Sequence, residues 1–192
     1  MGRRPINIAI IGSMDLLVSV VLMAGLPGTG KSTLARALAG RLHGAVLDKD
    51  VIRAALFPPE LVEYSLEQDD FCQETVLRTA AYLLGKHERL MVFLDGRTFS
   101  RRYQRMRVAE FCVERGVHWA VVECVCREET ALQRLAKAVA EGSHPAANRT
   151  PELYRQVREA WEAIDCPKLV VDTDASLEEC TERALRYLAA GV

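Results

Sequence analysis

Leu16-Leu-Val-Ser-Val-Val-Leu-Met-Ala24, followed by Gly25-Leu26-Pro27-Gly28-Thr29-Gly30-Lys31-Ser32-Thr33, is the stretch that decides the fold. A nearly continuous apolar run of this length reads as a strand buried on both faces. The loop after it has the spacing Gly-x-x-x-x-Gly-Lys-Ser. Leu34, Leu38 and Leu42 then recur at i, i+4 and i+8, which is helical periodicity. A strand, a glycine loop and a helix in that order form a concave row of backbone N–H groups at the positive end of a helix, and such a cradle takes phosphate oxygens. Gly25, Gly28 and Gly30 supply the curl and Thr29 sits within it. Lys31 reaches toward the β- and γ-phosphates, Ser32 offers a hydroxyl to Mg²⁺, and Thr33 is available to the α-phosphate. The implied cofactors are ATP and Mg²⁺.

Outward from the cradle, strand-like runs alternate with helical ones. Strands are expected at Leu16–Ala24, Ala45–Leu47, Leu90–Leu94, Trp119–Val125 and Leu169–Val171. Helices are expected around the leucine stripe, along Phe71, Val76, Leu77, Ala80 and Leu84, and over Arg101–Arg115, Glu128–Glu141, Pro151–Ile164 and Leu177–Leu188. This alternation predicts an α/β fold, a three-layer α/β/α sandwich around a five-stranded, mainly parallel sheet with right-handed crossovers. Ligands in such folds sit beyond the carboxyl ends of the strands, where every motif of this chain falls.

Two of those ends carry acids. After the second strand comes Asp48-Lys-Asp50-Val-Ile-Arg53, with Asp50 and Arg53 at i and i+3 on the first turn of a helix. Alone, such a pair is equally a solvated helix-start ion pair. One strand after a phosphate cradle, it is a kit for phosphorylating an alcohol: the carboxylate takes the proton and the arginine orients acceptor or transferred phosphoryl. Asp48 competes as base, or holds a water of the Mg²⁺ shell. The apolar run 90–94 ends in Asp95, placing a carboxylate opposite Ser32 at the metal, and Arg97 is a further candidate for the acceptor.

Between two helical stretches lies the polar, proline-interrupted loop Glu141-Gly-Ser-His-Pro-Ala-Ala-Asn-Arg-Thr-Pro151. A loop of this kind, within a lid around 140–153, would exclude water from the γ-phosphate while an arginine neutralises developing charge. Arg149 and Arg134 are the candidate arginines, with His144 and Asn148 near them.

These features resemble the small P-loop kinases often labelled AAA-domain or zeta-toxin-like, akin to the kinase domain of phage polynucleotide kinase. The resemblance runs from about Leu16 to the C-terminus. It implies that Asp50 is the general base, that Arg53 contacts the acceptor, and that the loop Asp172-Thr173-Asp174 lies near adenine. Two departures stand out: Asp48 replaces an amide of polynucleotide kinase, and the lid arginines are spaced differently. The arginine finger and sensor of AAA machines have no counterpart.

The chain has 192 residues, 49% hydrophobic and 27% charged, with a formal net charge of −1 and a pI near 6.4. That length and composition suit one domain. Residues 1–13 read as an optional or non-native extension ahead of a single domain over 14–192. The near-neutral charge disfavours a nucleic-acid substrate. A small-molecule acceptor is therefore the leading expectation, with a polynucleotide 5′-hydroxyl kinase and an ATP-binding regulatory module as alternatives. Asp15 divides the N-terminal apolar residues into pieces too short to span a membrane, and a cytoplasmic location is expected. Six cysteines, at 72, 112, 124, 126, 166 and 180, form no Cys-x-x-Cys pair and read as buried reduced thiols, with Cys124 and Cys126 on one face of a strand.

Overall fold

The computed structural model describes residues 18–141, 148 and 150–191. Its sheet has five strands, β1 (Val18–Ala24), β2 (Gly44–Asp48), β3 (Met91–Asp95), β4 (His118–Val125) and β5 (Leu169–Asp172). Their spatial order is β2-β3-β1-β4-β5. Every pairing is parallel, so the expected mainly parallel sheet is wholly so among the described residues. Among the described residues seven α-helices connect and cover it: α1 (Lys31–Arg41), α2 (Lys49–Leu56), α3 (Leu66–Lys86), α4 (Arg102–Arg115), α5 (Glu128–Glu141), α6 (Pro151–Glu159) and α7 (Leu177–Ala189).

The period of two along each strand divides the core into two layers. Val21 and Met23 of β1, with Met91 and Phe93 of β3, face Leu34 and Leu38 of α1 and Ala184 and Leu188 of α7. Val20 and Leu22, with Val92 and Leu94, face Val76 and Ala80 of α3 and Val108 and Phe111 of α4. A smaller cluster, Ala131, Leu135 and Tyr154, joins α5 to α6 and takes Leu26 of the glycine loop against it. Helices α5 and α6 are thereby packed against the glycine loop.

Local chemistry sets the helix ends. The Asp48 side chain caps α2, accepting from Asp50 N at 2.8 Å, and the Ser65 hydroxyl caps α3 by accepting from Gln68 N. Thr150 caps α6, with Pro151 in its first turn. Ser176 and Glu179 form a capping box on α7.

Some expectations are corrected. The helix expected over Pro151–Ile164 stops at Glu159. Beyond it, Glu162 N donates to Ser100 O and Arg105 donates to Glu162 O and Ala163 O, so the backbone finds partners outside a helix while Ile164 enters the core. Phe71 is 58% exposed rather than part of the α3 stripe. Its separation of five from Val76 is not a helical spacing, and the buried row is Gln68, Cys72, Val76 and Ala80. β4 ends at Val125, so Cys126 lies beyond the strand that holds Cys124. All six cysteines are free, although Cys126 and Cys166 are only partly buried. The extension at 1–13 lies outside the described residues, and so do His144, Arg149 and most of the expected lid loop.

Candidate active site

The cradle forms between β1 and α1. Gly25 has φ +140° and Gly28 φ +80°, conformations that side-chain-bearing residues rarely adopt. There is also no room for a side chain. A Cβ on Gly25 would lie 2.3 Å from Cys124 O, and one on Gly28 would lie 2.5 Å from Ala131 O of α5. Gly30 caps α1 without a side-chain hydrogen bond, leaving the helix start to its own backbone N–H groups. Lys31 is buried, and its Nζ donates to Gly25 O at 2.9 Å and Leu26 O at 2.8 Å within the same loop.

On the β5 side, Arg134 of α5 reaches back to the cradle. Its guanidinium donates to Thr173 Oγ1 at 2.9 Å and Thr173 O at 2.8 Å. Thr173 Oγ1 in turn donates to Thr29 O at 3.1 Å. Gly30, Thr33, Arg134 and Thr173 line one cavity of about 190 Å³ together with Ala175 and Leu177. The structure therefore brings Gly30, Thr33, Arg134 and Thr173, four of the residues expected at the nucleotide, to one cavity.

Asp95 ends β3 in register with Asp48 at the end of β2. It is 1% exposed, and neither carboxylate oxygen has a hydrogen-bond partner. A buried carboxylate left so is costly unless a cation meets it. Among the described residues, no three His, Cys, Asp or Glu side chains group to hold a metal. A Mg²⁺ ion held largely by phosphates and water, with Asp95 and the Ser32 hydroxyl as protein donors, fits both observations. Burial and the neighbouring Asp95 raise the Asp48 carboxyl above its ordinary range, opposed by its cap hydrogen bonds.

Beside Asp50, where the acceptor was expected, lies a cleft of about 300 Å³ whose walls include Lys31, Asp50, Arg53, Gly96 and Arg97. Asn148, with Leu153 and Gln156 of α6, also lines it. Asp50 Oδ1 accepts from Arg53 Nη1 at 3.1 Å and lies 3.1 Å from Lys49 Nζ. Both cations also reach Asp69 of α3: Lys49 Nζ donates to Asp69 Oδ1 at 2.6 Å, and Arg53 Nη2 donates to the same oxygen. The result is a ring of two acids and two cations, buried except at the partly exposed Asp69. The Arg53 guanidinium lies over the Tyr64 ring at 5.1 Å. Arg97 donates to Asp70 and lies 5.8 Å over Tyr103. Desolvation lowers the Lys49 ammonium to about 8, against the support of Asp50.

Asp48 and Asp50, which the sequence leaves as rival bases, thus occupy different surroundings. Asp48 is committed to the α2 cap, while Asp50 faces the cleft. Sequence reasoning missed Lys49, Asp69, Asp70, Tyr64 and Tyr103. Lys49 stood inside the quoted motif and would have been flagged by its place between two acids. Asp69 and Asp70 had no signal, because they approach only when α3 packs beside α2.

This parallel sheet, with its glycine cradle after β1 and acids closing β2 and β3, defines a kinase-like P-loop NTPase fold. The chain belongs to the AAA domain family, whose pattern residues 20–148 match. No curated protein sequence matches it. Among solved structures, a protein from Chloroflexus aurantiacus J-10-fl assigned as a kinase superposes with a TM-score of 0.69 at 21% identity, covering 88% of this chain and 98% of that one. The APS kinase CysC of Mycobacterium tuberculosis, in complex with AMPPNP and APS, gives 0.67 at 18% identity, covering 89% and 97%. A gluconokinase from Sinorhizobium meliloti 1021 gives 0.66 at 19% identity, covering 91% and 93%. At these identities the likeness is one of fold. No helix among the described residues is long and apolar enough to cross a membrane.

Proposed function

We propose that the chain transfers the γ-phosphoryl group of ATP to a hydroxyl of a small-molecule acceptor, with Asp50 as general base. The observation that carries this reading is the position of Asp50. It is 5% exposed, on a cleft whose other walls are Lys31 of the cradle and the Arg53 and Arg97 guanidinia. A nucleotide switch has no use for a carboxylate there. A kinase needs one within reach of both the incoming alcohol and the transferred group.

The nucleotide side would consist of the backbone of Gly25, Gly28, Thr29 and Gly30, with Lys31 on the β- and γ-phosphates, Thr33 near the α-phosphate, and Arg134 and Thr173 flanking. When bound, Mg²⁺ would offset phosphate charge, held on the protein by Ser32 and Asp95. Lys49 and Arg53 would turn from Asp69 and Asp50 toward the phosphoryl oxygens as negative charge develops there. Asp69 would hold the two cations between turnovers. Arg149 is proposed to complete the closed lid. Within the ring, the charges of Lys49 and Arg53 balance those of Asp50 and Asp69. The chain's formal net charge of −1 supports a small acceptor over a polynucleotide, whose binding draws on a cationic excess.

The test separates donor from acceptor. Lys31→Ala should abolish nucleotide turnover. Asp50→Asn should keep ATP affinity within a few-fold while phosphoryl transfer, followed with γ-labelled ATP across a panel of alcohols, falls by roughly 10²–10⁴. Transfer at the wild-type rate in Asp50→Asn would remove Asp50 from the mechanism.

A further inference from the structure

A second, larger groove of about 630 Å³ runs between α3 and α4 and shares Arg97 and Gln104 with the acceptor cleft. We propose that the acceptor extends from the cleft into this groove, which receives a neutral, planar, hydrogen-bonding head group such as a purine or pyrimidine ring. The proposal rests on the kinase reading above for the hydroxyl end of the acceptor, and on separate observations for the head group.

The first of these is Gln73. It lines the groove and is only 3% exposed, yet neither its amide oxygen nor its amide nitrogen has a hydrogen-bond partner. A buried primary amide is normally satisfied, and both of its atoms being orphaned leaves a donor and an acceptor side by side. That pair complements the adjacent donor and acceptor on the edge of a nucleobase or similar heterocycle, as amide side chains do when they read bases. Arg97 Nε, also buried, lacks a partner as well.

The second observation is the balance of charge. Asp70, Glu74 and Glu110 face Arg97, Arg102 and Arg107 along the groove. Arg107 is held by Glu74 through two hydrogen bonds of 2.6 and 2.8 Å, and Arg97 is held by Asp70. The walls therefore carry no standing excess to attract an ionic group. The third is the apolar surface beside the amide. Tyr103 is 47% exposed and Met106 is 46% exposed, and both line the groove. An aromatic ring and a polarizable thioether form a face on which a flat ring packs.

The decisive variant is Gln73→Met, which keeps the side chain's length and removes both hydrogen-bonding groups. Replacing an unsatisfied buried amide by an apolar side chain of similar shape is neutral or stabilising, so the thermal midpoint should hold or rise. The probes are adenosine, guanosine, cytidine, uridine and D-ribose, added to the full chain loaded with AMPPNP and Mg²⁺, with affinity read by ligand-observed NMR. At least one nucleoside should bind at least tenfold more tightly than ribose, and Gln73→Met should lose that margin while AMPPNP affinity stays unchanged. Tyr103→Ala, on an exposed ring, should weaken the same nucleoside several-fold and provides the test should Gln73→Met fold poorly. No nucleoside outbinding ribose, or equal binding by wild type and both variants, overturns the groove assignment. Gln73-dependent nucleoside binding without phosphoryl transfer from ATP would uphold the groove and sink the kinase reading. Transfer from ATP to a nucleoside hydroxyl with a kcat/KM that Gln73→Met leaves unchanged would do the reverse.

Discussion

The donor and acceptor halves proposed for this site are built in different ways. The cradle is mostly backbone: three glycines, the start of α1 and one lysine, all within nine residues from Gly25 to Thr33. The acceptor half is mostly side chains. Asp50 and Arg53 come from α2, Asp69 and Asp70 from α3, Arg97 from the segment after β3 and Gln104 from α4. The contrast follows from the ligands. Phosphates are alike in every nucleotide, and a fixed curl of N–H groups serves them all. An acceptor is particular, and only side chains converging from separate elements can distinguish one alcohol from another.

If that contrast is right, a single methyl group should be most damaging in the donor half. Gly25→Ala places a Cβ against Cys124 O at 2.3 Å in a backbone conformation already unfavourable for alanine. It should cost about 2 kcal/mol or more in urea unfolding and abolish nucleotide binding measured by calorimetry. An alanine variant that binds ATP normally would show that the cradle tolerates side chains.

The acceptor half should respond to pH. Lys49 is charged below about pH 8 and neutral above it, so kcat/KM should fall as pH rises through 8. Lys49→Arg, which stays charged, should shift that alkaline limb upward. Stability should move the other way. Between about 8 and the ordinary lysine value of 10.5 the unfolded chain binds the extra proton, so the Lys49 contribution to stability rises with pH across that window. An alkaline limb unchanged in Lys49→Arg would detach Lys49 from the transferred charge.

The smallest effect is expected at Arg134, on the cavity beside the cradle. Arg134→Lys keeps the charge but loses the paired hydrogen bonds to Thr173. It should raise the KM for ATP several-fold and leave the KM for the acceptor unchanged. A larger change in the acceptor KM would place Arg134 on the lid side of the reaction.

Most of the fold was legible because its signals are local. The β1 run, the glycine spacing and the leucine stripe of α1 lie in one continuous segment, and each strand end was located within one or two residues. Errors came where the environment overrode pattern. Helix α6 ends early because Ser100 and Arg105, distant in sequence, offer its following backbone better partners. Phe71 was counted as core on hydrophobicity although its helical position faces outward.

The sequence by itself determined the glycine cradle, since Gly25, Gly28, Gly30, Lys31 and Ser32 lie within eight residues and backbone geometry follows from local residue choice. It also determined the acids that close β2 and β3, because a strand delivers its last residue to the same edge of the sheet in every parallel fold. Tertiary structure alone decided which carboxylate faces the cleft and what surrounds it. Asp48 turned inward to cap α2, Asp50 met Lys49 and Arg53 beside an Asp69 contributed by α3, and Gln73 was buried without a partner. These contacts depend on how helices pack across the sheet, and no spacing along the chain records that.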